Sequence, residues 1–320
     1  MRGECILLGR KVEAGTLAAW LIVSMSGPFA LLAGKYDWPG ITAGWMLSGI
    51  LCSVVICLPG QELCRSRAYC LLQLVFLTAV VSYFAEWSQD IWPTGRDFPV
   101  VPLTLIVLAV LSACPGAQAA SRVGGVLFWL IAALYGVLLL FGSSNMQLSF
   151  LKPQYNLPGA QAVFVLMLPA VIQFVPCKLK PVLKRTVYLI GGLFVALSLW
   201  TIGGLSAPVA QSVAWPFYEA GKSVSVLGVA ERLEAFISVA VTVGCFGLLS
   251  MLITAIANLT ENIRLGWGKY GAILAGFLAA VKVLFLPQIP VIWLLIGGVV
   301  LWIVVPICGG IIFCEKKKKK

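Results

Sequence analysis

The sequence predicts an all-α membrane protein of about ten transmembrane helices, and three observations carry that prediction. First, its 320 residues are 60% hydrophobic and 11% charged, with a mean hydropathy of +0.99. An ordinary soluble domain has roughly 45–50% apolar and about 25% charged residues. Second, apolar runs long enough for the roughly 20 residues that a bilayer core requires recur along the chain. Third, basic residues cluster in the short connections between those runs and at the C-terminal end, the pattern that orients membrane helices.

The ten runs are residues 14–34, 40–59, 68–87, 100–115, 123–142, 158–176, 185–205, 233–259, 268–285 and 291–314. With the N-terminus in the cytoplasm, Arg2, Arg10, Lys11, Arg65, Arg67, Arg122, Lys178, Lys180, Lys184, Arg185, Arg264, Lys269 and the five lysines 316–320 fall inside. Lys35, Arg96, Lys152 and Lys222 fall outside, so seventeen basic residues against four favour this orientation and a cytoplasmic C-terminus. The first run continues past the length of a signal-peptide core and is expected to remain as a span. The Lys-rich tail at 315–320 is expected to attract anionic lipid headgroups, at about 1 kcal/mol per lysine. Trp38, Trp87, Trp92, Trp215 and Trp267 lie near span ends, where amphipathic rings prefer the headgroup zone.

Several function classes lose their chemistry at this stage. No histidine is present, which removes the commonest general base and metal ligand and every Ser-His or Cys-His pair. The ten cysteines are scattered through apolar segments without a CxxC pair, as small packing residues are. No enzyme, metal or cofactor is expected, and the net charge of +11 reads as topology rather than as a nucleic-acid surface.

Polar and helix-breaking residues then mark where a ligand could sit. The first span carries Ser24-Met25-Ser26-Gly27-Pro28 near its middle, and Pro28 has no N–H to give the carbonyl of Ser24. Either this is a discontinuous helix with backbone oxygens freed for a ligand, or it is a simple proline kink. A second interruption, Asn156 to Gln161, enters the sixth span. Two five-helix halves, 1–142 and 143–320, would place the two breaks at corresponding positions and give the halves inverted topology.

Among ionisable groups, Glu86 ends the third span, one turn beyond Tyr83 and close to Asp90. It reads as an interfacial carboxylate, as an ion-pair partner or as a proton carrier. Glu231-Arg232-Leu233-Glu234 opens the eighth span, where acidic groups suit a helix start and Arg232 can pair with a neighbour. Ser238 and Thr242 continue that face inward, for a ligand or for their own helix backbone. Residues 206–230, with Pro208, Trp215, Pro216, Tyr218 and Glu219, are too long and apolar for a plain turn and are expected to form a helical lid.

WPFYEAGKSVSVLGVAERLEAFISVAVTVGCF, from Trp215 to Phe246, resembles the stretch in spore germination permeases where an aromatic-Pro-x-x-Glu element leads into an Arg-Leu-Glu helix start. YFAEWSQD, from Tyr83 to Asp90, and LPGAQAVFVLMLP, from Leu157 to Pro169, resemble the family's third and sixth spans, and the resemblance covers nearly the whole chain. This family supplies the B subunit of nutrient germinant receptors and belongs to the amino acid, polyamine and organocation transporter superfamily. The resemblance therefore implies a five-plus-five inverted repeat with discontinuous helices one and six, binding a small nutrient, typically an amino acid, between spans one, three, six and eight. Carried onto this chain, it points to Ser24, Ser26, Gly27, Tyr83, Pro158, Gly159, Gln161, Ser238 and Thr242 as ligand-binding residues. It also implies an A subunit and a lipoprotein C subunit as partners, in the inner membrane of a spore.

The chain departs from the family where Phe-Pro-Phe-Gly-Glu is replaced by Leu157-Pro158-Gly159-Ala160-Gln161, so a neutral amide stands in place of a membrane carboxylate. The segment 143–156 before it is also short. Two other readings stay open. One is an ion- or proton-coupled amino acid transporter using Glu86, Glu231 or Glu234, and the other an ion-conducting or assembly subunit that binds no nutrient.

Overall fold

The computed structural model describes residues 13–57, 67–87, 99–143, 146–153, 180–222, 233–263, 266–287 and 291–305. Every regular element among them is helical: α1 (Ala14–Leu32), α2 (Trp38–Cys57), α3 (Arg67–Trp87), α4 (Val100–Ala113), α5 (Ala117–Gly142), α6 (Lys180–Leu205), the short α7 (Ala207–Ser212) and α8 (Pro216–Lys222), α9 (Leu233–Ile263), α10 (Gly268–Phe285) and α11 (Val291–Val299). A 3₁₀ turn lies at Leu148–Phe150, and α11 widens into a π-helical turn over Val300–Val304.

Helix is what the composition allows, since a chain in lipid must satisfy its backbone internally. By length and composition, α1, α3, α5, α6, α9 and α10 can cross a membrane, and α4 is apolar but shorter. The sixth expected run, 158–176, lies outside the described residues.

α1 and α9 form the centre, α9 packing against α1, α3, α4, α5, α8 and α10. Contacts along their lengths fix the helix directions. α1 runs antiparallel to α9, with Val23 against Gly247 and Gly27 against Gly244. It runs parallel to α5, with Trp20 against Gly124 and Ser26 bonded to Tyr135. It is also parallel to α6, with Phe29 stacked on Phe194 and Gly34 against Thr201. Gly116, at φ +97°, makes the sharp turn that sets α5 back beside α4.

Two sets of contacts surround this centre. α2 and α6 cross antiparallel, with the Trp45 ring over Gly191 and the Tyr188 ring over Gly49. Missing side chains let each aromatic lie on the other backbone, the close approach by which helices associate where lipid removes the hydrophobic drive. α3, α4, α9 and α10 pack against one another in every pairing. Their joints include a Ser112–Ser250 hydrogen bond of 2.7 Å and the contacts of Gly271 with Thr260 and Gly276 with Val110. The Glu261 carboxylate closes the turn into α10, accepting from the N–H of Gly266 and of Gly268 at 2.8 Å each.

The expected break in the first helix is not found. α1 is continuous from Ala14 to Leu32 with Pro28 inside it. Proline deletes a single intrahelical bond, and tight packing of the same turn against α9 holds the remainder helical.

Candidate functional site

The residues around Pro28 use their polar groups locally. The Ser24 hydroxyl donates to the carbonyl of Leu21 at 2.8 Å, and the Ser26 hydroxyl to that of Val23 at 2.7 Å. The Ser26 carbonyl accepts from the Tyr135 hydroxyl at 3.0 Å, which ties α5 to this turn. On α9, Thr242 donates to the Ser238 carbonyl at 2.7 Å. These are the back-bonds that mid-helix serine and threonine commonly make.

Gly27 faces protein. A Cβ added to it would lie 2.5 Å from the Cys245 nitrogen and 2.8 Å from the Val241 oxygen, both backbone atoms of α9. A Cβ at Gly244 would lie 2.5 Å from the Gly27 α-carbon. The two helices thus meet backbone to backbone, and Gly27 owes its place here to that crossing.

A buried ion pair lies at the ends of α3 and α10. The Lys282 ammonium donates to Glu86 Oε1 at 2.5 Å, across helices from opposite halves of the chain. Each residue is only 9% exposed, and both lie within runs long and apolar enough to span a membrane. Glu86 Oε2 is also buried and has no hydrogen-bond partner among the described residues. Of the readings open for Glu86, the structure shows the ion pair and corrects the interfacial one: the carboxylate is turned inward onto a lysine. Tyr83, one turn earlier on α3, is buried beside Phe84.

The expected lid segment supplies α7 and α8, which are tied to the bundle at several points. Gln211 donates to Asp37 Oδ1 at 2.9 Å, just beyond the end of α1. The Lys35 ammonium sits 4.7 Å from the centre of the Trp215 ring. Phe217 packs against Tyr135 and Trp200, and Ile237 lies on Gly221. Between Lys35 and Asp37, burial raises the Tyr36 phenol above its ordinary value, so that it stays neutral at physiological pH.

Of the residues the sequence singled out, Ser24, Ser26, Gly27, Ser238 and Thr242 lie on the central α1 and α9, while Tyr83 and Glu86 lie on α3. Pro158, Gly159, Gln161, Glu231 and Arg232 lie outside the described residues, and Glu234 opens α9 without a described side chain. Sequence reasoning missed Lys282, Tyr135, Gly244 and Gly247. Lys282 had a signal, a lone charge inside an apolar run, and such a charge needs a counter-ion. Gly244 had one as well, because Ala240 and Gly244, four apart in α9, have the small-xxx-small spacing of a close helix crossing.

No metal-ligand cluster occurs among the described residues. Compared with known proteins, the chain matches no family model and no curated relative.

Proposed function

We propose that this chain is the permease-like membrane subunit of a spore nutrient germinant receptor. It binds a small nutrient, an amino acid by class, between two inverted five-helix halves in the spore inner membrane, with both termini cytoplasmic. The observation that carries this reading is the reciprocal packing of the halves. α2 lies antiparallel on α6, α3 packs against α9 and α4 against α10, each against the helix five expected spans later. Such exchange of equivalent helices is how inverted-repeat transporter folds place a site at the repeat interface. The sequence resemblance supplies the physiological setting and the partners, an A subunit and a lipoprotein C subunit, while anionic lipid holds the Lys-rich tail.

Signalling requires the nutrient to bind one conformation more tightly than another, because equal affinity for both shifts nothing. Glu86 and Lys282 favour one second reading, a proton-coupled amino acid transporter, because ionisable groups within spans commonly lie on ion pathways. Liposomes separate the two. In proteoliposomes carrying a proton or sodium gradient, no amino acid is expected to accumulate. Uphill accumulation of any one would replace the receptor reading with the transporter, and ion conductance without nutrient binding would replace it with a channel subunit.

A further inference from the structure

We propose that Glu86 and Lys282 together seat the two charged ends of a zwitterionic ligand, Glu86 taking its ammonium and Lys282 its carboxylate. This rests on the nutrient-binding reading and names the groups that would choose the nutrient. The hydroxyls of Ser24, Ser26 and Thr242 already donate to their own helices, and Gly27 is covered by α9. They leave the ligand's charges to be met elsewhere. Glu86 and Lys282 form a buried ion pair, and it joins the first half of the chain to the second.

Stability alone gives little reason for such a pair, since apolar residues of similar volume usually hold helices together as well or better. The pair also has unused capacity. Glu86 Oε2 is buried without a partner among the described residues. Of the three N–H donors of an ammonium, one is directed at Glu86 Oε1.

Charge balance then sets the selectivity. Opening the pair strands a carboxylate and an ammonium in an apolar interior, and a ligand carrying one charge re-pairs only one of them. A ligand carrying both re-pairs both, so the exchange leaves no buried charge bare. An α-amino acid meets that condition, whereas its methyl ester lacks the anion and its N-acetyl derivative lacks the cation. Each derivative is expected to bind roughly a hundredfold more weakly, the order of loss when a buried charge is left unpaired.

The test uses the full chain in nanodiscs and follows thermal unfolding with the twenty amino acids, then with the methyl ester and N-acetyl derivative of any that stabilises. Stabilisation is expected from the amino acid alone. It should be absent in Glu86→Met/Lys282→Met, which removes both charges and keeps the fold, and present in the charge-swapped Glu86→Lys/Lys282→Glu. If the double methionine variant is stabilised as the wild type is, or if the ester binds equally well, the pair is not the seat and nutrient binding stands without it. If no amino acid stabilises the wild type, either alone or together with the proposed A and C subunits, this inference and the nutrient-binding reading fall together.

Discussion

Replacing Gly27 with leucine is expected to cost the protein its folded state, with the largest loss of stability of any single change in α1. The added side chain would start 2.5 to 2.8 Å from backbone atoms of α9, which cannot rotate away as a side chain could. Separating the helices breaks the crossing of Val23, Gly27, Gly244 and Gly247, at about 3 kcal/mol or more. Two opposing effects decide the milder Gly27→Ala. Alanine gains about 1 kcal/mol of helix propensity over glycine, but its methyl group still meets the same backbone atoms, and overpacking costs about 1–3 kcal/mol. The net change is expected to be destabilising. Gly136, in α5 with nothing within 4 Å of an added Cβ, is the control, and Gly136→Ala is expected to hold or raise the melting temperature. Melting curves of the three variants in one detergent measure all of this. Equal behaviour of Gly27→Ala and Gly136→Ala would show that α1 and α9 do not cross at these glycines.

The second large effect is expected at Lys282. Lys282→Met alone leaves the Glu86 carboxylate buried without its counter-ion, at about 3–5 kcal/mol. Adding Glu86→Met removes the stranded charge, and the double variant is expected to recover to within about 1 kcal/mol of the wild type. Stability that rises on making the second substitution is the signature of a buried pair, because independent sites would add their losses. A double variant weaker than either single one would place the two side chains apart.

These residues also show which parts of the molecule the sequence could carry. Helix existence was legible because lipid leaves a spanning backbone few alternatives, and apolar run length reports it directly. α10 ends where the apolar run does, at Phe285, and α9 extends only a few residues past its expected end at 259. Helix interiors were harder. Ser24-Met25-Ser26-Gly27-Pro28 has the composition of a break, yet whether proline bends or interrupts a helix depends on what packs beside it. Here that is the backbone of Val241 to Cys245, more than two hundred residues away in sequence.

The site was half legible for a related reason. Glu86 stands out because a carboxylate in an apolar run needs an explanation. Nothing local, however, says whether it turns to solvent or inward. The answer is Lys282, 196 residues later, brought to it by the packing of α3 on α10. Counting basic residues for topology passes over a lysine inside a span, though asking each intramembrane charge for its partner would have paired the two. Tyr135 had no such signal, since its bond to the Ser26 carbonyl follows from the parallel packing of α5 on α1.

Equilibrium binding of radiolabelled amino acids to the purified chain in nanodiscs, alone and together with the proposed A and C subunits, tests the proposed nutrient recognition most directly. Saturable binding of at least one zwitterionic amino acid is the predicted result. A folded protein that binds none of the twenty, with or without its partners, would contradict it.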